Sequence, residues 1–242
     1  MKNILITGAT SGIGKSLTER LAKSAVYNPV IVARNERKLK SIAEMYTLDY
    51  IKYDFTDINN ISSIYAQLKE REIALEGLVH CAGISPLMLV KDNDPLKMIE
   101  TFNVNFFSFV ELVKGFVNYH SNQRPKSIVA ISSVVARVAS YRQSIYGASK
   151  AALEEATRCM AKELMQQGIR VNTIAPGVVN TEMLLSLQKK SDGLKNKLEK
   201  LYPLGIAESE YFSKMIEYLL SEDSKYITGR CIDMDSGFFT AR

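Results

Sequence analysis

Apolar and polar positions along the chain fall into two alternating spacings. NILIT, residues 3 to 7, is a short apolar run with the length of a buried strand, and beyond it Ile13, Leu17 and Leu21 recur at helical spacing. The pattern restarts with PVIVA at 29–33 and the charged helical segment at 35–45, then with a strand at 48–53 and a helix at about 58–71. Farther on, GLVHCAG at 77–83 reads as a strand entering a tight turn, and 98–119 as one long helix. KSIVAISS at 126–133 and GIRVNTIAPG at 168–177 read as strands on either side of a helix from Tyr146 to Met165, with Pro176 and Gly177 ending the second. RCIDMD at 230–235 is the last strand. Strands alternating with helices in this way predict a doubly wound α/β fold.

No Ser/Pro/Gly-rich linker or internal repeat divides the chain, so residues 1–242 are expected to form a single domain. The segment 182–210 differs, mixing an amphipathic stretch with charge, Gly193 and Pro203. It reads either as a cover over a cleft or as an ordinary helix-loop insertion. Composition narrows the class. With 46% hydrophobic and 24% charged residues, disorder and coiled-coil classes are excluded, and the net charge of +5, spread through the chain, gives no reason to expect nucleic-acid binding or a polybasic anchor. A glycine-rich turn interrupts the N-terminus before a signal-peptide core develops, and no apolar run reaches the ~18 residues of a membrane span. A cytoplasmic protein without integral membrane association is expected. Cys81, Cys159 and Cys231 are odd in number and far apart, and His80 and His120 are isolated, so neither a disulfide framework nor a bound metal is expected.

Two local patterns carry chemistry. Gly8-Ala9-Thr10-Ser11-Gly12-Ile13-Gly14 sets three glycines at the first strand-to-helix transition. Such a turn lets a pyrophosphate approach the N–H groups of the helix end, although purely structural glycines remain the alternative. The spacing is not that of a Walker P-loop and lacks its GKS/T ending. Tyr146 and Lys150, at i and i+4, share one helix face, where a lysine cation favours the phenolate. Taken alone, that spacing also fits an ordinary exposed pair.

The pieces TGATSGIG, HCAG, NVN, ISS, YGASK, the PG turn and TGRCIDMDSG follow one another in an order and spacing that closely resemble the short-chain dehydrogenase/reductase family over almost the full chain. Ser133 lies thirteen positions before Tyr146, and Tyr146 four before Lys150. The resemblance implies a mostly parallel Rossmann sheet flanked by helices and an NADP(H)-dependent oxidoreductase. It assigns Ser133 to carbonyl orientation, Tyr146 to proton transfer, Lys150 to charge and cofactor placement, and Asn105 to relay support; Asn103 is given a structural role.

For the cofactor the resemblance implies Gly8, Ser11, Gly12, Ile13 and Gly14 in the turn, Asp54 and Phe55 at the adenine, Cys81-Ala82-Gly83 beneath the nucleotide, and Tyr146 with Lys150. Pro176, Gly177, Val179 and Thr181 are assigned to the nicotinamide side. Ala33 stands where relatives that prefer NAD carry an acid, and Arg34 follows it, a cation suited to a 2′-phosphate. Arg34 and Asp54 also have plain readings as helix-end residues. Two departures are visible: Cys81 replaces a frequent asparagine, and Ser236 a frequent glycine. The expected function is NADPH-dependent reduction of a ketone or aldehyde, with alcohol oxidation as the reverse; the alternative is a non-catalytic NADP(H)-sensing or protein-interaction module. The partner is a small carbonyl or alcohol substrate, with 3-oxoacyl carrier-protein reductases one possibility within the family. The Ala-rich helix around 148–164 and the family's habit imply a homo-oligomer, a tetramer ahead of a dimer.

Overall fold

The structure, a computed structural model, describes residues 1–119, 126–182, 184–185, 198 and 201–239. Its elements alternate as β1 (Lys2–Thr7), α1 (Gly12–Ala22), β2 (Tyr27–Ala33), α2 (Glu36–Tyr46), β3 (Asp49–Lys52), α3 (Ser62–Glu70) and β4 (Gly77–His80). They continue as α4 (Pro95–Phe102), α5 (Ser108–Tyr119), β5 (Lys126–Ile131), α6 (Ser144–Leu164), β6 (Ile169–Pro176), β7 (Val179–Asn180), β8 (Ala207–Glu208), α7 (Ser209–Leu220) and β9 (Cys231–Met234).

Seven strands form one sheet in the order β3-β2-β1-β4-β5-β6-β9, and every pairing in it is parallel. The apolar runs explain why. Successive side chains of a strand point to opposite faces, and here both faces are covered. Leu5, Val30, Val32, Leu78, Ile128 and Ala130 pack against α3, α5 and α6. Their neighbours Ile4, Ile6, Ile31, Ala33, Val79 and Val129 pack against α1, α2 and α7. The doubly wound α/β architecture expected from the alternating spacings is thus the architecture observed.

Local differences have local causes. β2 begins two residues before Pro29, which is tolerated because β2 is paired there with β1 alone and β3 joins only at Val30. The long helix expected over 98–119 is two helices joined by a π-helical turn, Asn103–Phe107. The helix expected from about residue 58 starts at Ser62, because Asp57 spends its carboxylate on Asn59 and Asn60 in the preceding turn. Of the segment 182–210, residues 183, 186–197 and 199–200 lie outside the described residues, as does His120.

Phe116 is fully buried between α5 and the sheet. Phe116→Ala is expected to lower stability by ~3–5 kcal/mol, seen as a fall in the urea midpoint at unchanged slope. A loss below about 1 kcal/mol would contradict this packing.

Candidate active site

Strand order reverses between β1 and β4, and in a doubly wound sheet a crevice opens at that point beyond the strands' carboxyl ends. Both banks of the crevice come from motifs visible in the sequence. Gly8 follows β1 with φ +65°, and a Cβ placed on it would sit 2.8 Å from the main chain of Cys81 and Ala82, beyond the end of β4. Gly14 is held equally close: its Cβ would lie 2.4 Å from the Gly8 carbonyl oxygen and 3.1 Å from Cys81 Cβ. Thr7 Oγ1 accepts from Ala82 N at 3.2 Å and bonds the His80 ring at 3.0 Å, tying the two strand ends together.

α1 therefore starts directly over this junction. Its N-cap, Ser11, makes no side-chain cap, and no acid stands in the first turn, so the positive helix end faces the crevice. Ser11 is exposed, whereas Ile13 is buried in the core beneath. A cradle that any side chain at Gly8 or Gly14 would fill, closed by a helix N-terminus, fits a dinucleotide pyrophosphate.

The second bank is built by α6 against the end of β5. Tyr146 and Lys150 occupy successive turns of α6, with Lys150 Nζ 5.9 Å from the centre of the Tyr146 ring. Lys150 is buried and donates to the Ile131 carbonyl at 2.8 Å. Burial lowers its ammonium to about 8, so this lysine holds its proton loosely. Ser133 is extended, accepts from Val135 N at 3.3 Å, and sets its hydroxyl beside the Tyr146 phenol. Burial raises the phenol, and the Ser133 hydroxyl pulls it back in part. In this state the lysine cation is spent on a carbonyl, and burial outweighs the lowering expected from the Tyr146–Lys150 spacing.

Asn105 lies in the π-helical turn, completely buried. Its Oδ1 accepts from Ile84 N at 2.8 Å; its Nδ2 donates to Ile84 O at 2.9 Å and to Ser149 Oγ at 3.0 Å. Asn105 and Lys150 face each other across Gly83, whose Cβ would lie 3.4 Å from Asn105 Oδ1 and 3.5 Å from Lys150 Nζ. Asn103 instead donates to the Thr56 carbonyl at 2.9 Å and braces the turn after β3.

The remaining candidates line the rim or stand behind it. Pro176 ends β6, and Gly177 N donates to Met234 O at 3.1 Å. Val179 belongs to the short β7–β8 pair. Thr181 accepts from Leu184 N at 3.4 Å, and its methyl lies 3.3 Å from the place of a Gly12 Cβ, against the glycine turn. Asp54 Oδ1 accepts from the N–H and hydroxyl of Thr56, both at 3.0 Å, closing its own turn and capping no helix. The Phe55 ring is buried against Tyr53 and His80.

Arg34 is exposed at the end of β2, beside a cleft of about 460 Å³ lined by Thr10, Lys15, Asn35, Arg37, Lys38, Ser41, Ile42 and Glu182. The sequence reading missed Thr10, Arg37 and Lys38 as candidates on this rim. The signal for the last two was the cationic run RNERK, residues 34–38, which was read only as a charged helix start. Lys38 now pairs with Glu182 at 3.3 Å.

Burial lowers the His80 imidazole to about 3, and the Lys150 charge pushes the same way, so the ring is neutral. Burial pushes the Cys81 thiol up to about 12, which leaves it a poor nucleophile. Among the described residues, no cluster of three His, Cys, Asp or Glu side chains is arranged to hold a metal, and no helix is long and apolar enough to cross a membrane.

A parallel sheet with a glycine cradle at its switch point and a Ser-Tyr-Lys group beside it defines an oxidoreductase of the dinucleotide-binding class. A family model described as enoyl-(acyl carrier protein) reductase matches residues 8–239. L-xylulose reductase of Caenorhabditis elegans is 33% identical over 98% of this chain and 95% of its own length. The 3-oxoacyl-[acyl-carrier-protein] reductase FabG of Thermotoga maritima is 34% identical over 98% and 97%.

Among solved structures, a short chain dehydrogenase family protein from Francisella tularensis superposes with a TM-score of 0.88 at 28% identity, covering 99% of both chains. ElxO with NADP bound gives 0.89 at 26%, covering 99% of both. The 4-hydroxyisoleucine dehydrogenase complexed with NADH gives 0.85 at 27%, covering all of both. The chain belongs to the short-chain dehydrogenase/reductase family.

Because native His80 refuses a proton until about pH 3 and an unfolded histidine accepts one near 6.5, its contribution to stability is whole above pH 6.5 and falls as the pH drops toward 3. In a proton NMR titration, the ring signal that survives in His120→Gln is expected to stay unshifted between pH 7 and 5. A midpoint near 6.5 would contradict the buried neutral ring.

Proposed function

We propose that the protein reduces a ketone or aldehyde to its alcohol with NADPH, and runs the reverse oxidation when the alcohol is supplied. The observation that carries this reading is the Ser133 hydroxyl set beside the Tyr146 phenol, one helical turn from the buried Lys150 and beside the glycine cradle. A bound nicotinamide cofactor supplies the hydride. Ser133 orients the carbonyl oxygen, and Tyr146 gives its phenolic proton to the oxygen as negative charge develops there. Lys150 holds positive charge behind the phenol, making the phenolate left after transfer less costly. Asn105 keeps the Ile84 main chain and Ser149 in place, which holds the wall around Gly83 and Lys150. The relatives named as reductases favour this chemistry, and with Ser133, Tyr146 and Lys150 all present no observation favours the non-catalytic alternative.

The choice of NADP(H) rests on charge. Ala33 puts no acid at the end of β2, Lys15, Arg37 and Lys38 line the cleft where a 2′-phosphate would lie, and Arg34 stands exposed directly after β2. Solved neighbours include both an NADP and an NADH complex, so the cations, not the neighbours, carry the preference. Leu184, Leu198 and Tyr202, the described inward residues of the segment 182–210, pack with Val134, Val138 and Phe238 next to Ser133, which suits a cover over the substrate. Assembly into a homo-oligomer is supported by the small, partly open face of α6 at Ala148, Ala151, Ala152 and Ala156.

Tyr146→Phe keeps the ring and removes the proton, so single-turnover reduction of a verified substrate is expected to slow by ~100-fold or more. Near-unchanged hydride transfer would reject the assignment. The wild-type kcat/KM is expected to be at least ~10-fold higher with NADPH than with NADH, and Arg34→Glu is expected to erase most of that difference. A tenfold preference for NADH in the wild type would reject the cofactor assignment.

A further inference from the structure

Glu154 is buried at 4% exposure on the same face of α6 as Tyr146 and Lys150, one turn beyond the lysine. An acid that deep needs partners, and its partners are specific. Ser132 Oγ donates to Glu154 Oε1 at 2.6 Å, and the Arg137 guanidinium pairs with Oε2 at 3.2 Å. Cys231 Sγ, on β9, donates to Oε1 at 3.3 Å. Arg137 also grips Asp233 of β9, one contact being 3.0 Å, and lies over the Phe239 ring at 5.1 Å.

Three consecutive residues from the end of β5 therefore meet three successive turns of α6. Ile131 accepts from Lys150, Ser132 donates to Glu154, and Ser133 lies beside the Tyr146 phenol. Ser132 is also fixed from the far side, where its N–H donates to the Ile174 carbonyl at 2.7 Å. The Ser132–Glu154 contact touches none of the groups proposed to meet substrate, yet it lies directly between Ile131 and Ser133 along the chain.

We propose that Glu154 is a positioning residue: its carboxylate locks Ser132 against α6, so that Ser133 and Tyr146 keep their alignment, and it places a buried carboxylate one helical turn beyond the buried Lys150 ammonium. The proposal rests on the carbonyl-reduction reading above. The surroundings of the pair are defined. Glu154 faces Arg137 from the turn after β5, Cys231 from β9 and Lys150 along α6, with Asp233 behind Arg137. Lys150 faces His80 and Cys81 from β4 and its exit, and Tyr146 and Glu154 along its own helix. Burial drives the lysine proton off, and Cys81 and then Glu154 oppose that loss. With the Cys81 and Cys231 thiols pushed up to about 12 by burial, the Tyr146 phenol raised and His80 neutral, Glu154 is the one carboxylate among the described groups facing Lys150.

The test compares wild type with Glu154→Gln, which keeps an acceptor for Ser132 but not the charge, and Glu154→Leu, which keeps neither. The readouts are kcat, KM, the pH profile of kcat, NADPH affinity, and the Lys150 titration followed by carbon-13 NMR of labelled lysine, assigned through Lys150→Arg. In Glu154→Gln the lysine titration and the matching limb of the kcat profile are expected at lower pH, with NADPH affinity within ~2-fold of wild type. Its kcat is expected to fall ~10-fold or more, and that of Glu154→Leu further, the scale of loss when reacting groups are misplaced. An unchanged Lys150 titration, or an unchanged kcat, in Glu154→Gln would overturn the proposal while leaving carbonyl reduction intact. Should wild type reduce no carbonyl, the reaction reading fails by itself. The NMR titration still decides the inference, since a lysine titrating at the same pH with and without Glu154 overturns it. Gln is nearly isosteric with Glu, so the comparison stands if Glu154→Leu does not fold.

Discussion

A parallel sheet buried on both faces restricts how its strands can be joined. Each strand must return to the same edge through a crossover, and each crossover must bring a helix to cover one face of the sheet. In this chain the alternation of Ile4 and Ile6 against Leu5, and of Ile31 against Val30 and Val32, divides the helices into two layers. The result gathers the carboxyl ends of β1, β2, β3, β4, β5 and β6 on one edge. The candidate residues from Gly8 to Thr181 lie at or after those ends, or on the helices and the π-helical turn between them.

Two contacts turn that edge into a site. The main chains of Gly8 and Gly14 approach Cys81 and Ala82 so closely that neither glycine can carry a side chain without displacing backbone. This fixes the position of the α1 N-terminus over the crevice. On the other bank the rungs between the end of β5 and α6 fix Ser133, Tyr146 and Lys150 as a group. Burial there acts in two directions, holding the phenol protonated and loosening the proton of the lysine. An acid poised to give its proton and a cation able to respond to the charge left behind suit proton transfer coupled to a change at a neighbouring carbonyl.

Much of this was legible in the chain. Strand runs, the glycine turn and the spacing of Ser133, Tyr146 and Lys150 are local patterns, and local patterns survive folding. What stayed hidden depends on geometry between distant segments. The break at Asn103–Phe107 was invisible because apolar spacing continues through a π-helical turn, and only the Asn105 contacts to Ile84 and Ser149 show what the turn accomplishes. The Phe55 ring packs against Tyr53 and His80, partners from β3's exit and β4 that no local pattern shows. Arg37 and Lys38 belong by sequence to a charged helical segment, and only the fold brings them beside Thr10 and Lys15. Glu154 looked like one charge in an Ala-rich helix, because its partners Ser132, Arg137 and Cys231 come from other segments.

The central claim is that this constellation turns over a carbonyl with a nicotinamide cofactor. The most direct measurement is a screen of ketones and aldehydes with the folded, assembled protein, after NADPH binding has been verified, recording cofactor consumption and identifying the product. The account predicts NADPH oxidation matched mole for mole by the corresponding alcohol for at least one class of carbonyl. Tight NADPH binding with no alcohol formed from any class would contradict it.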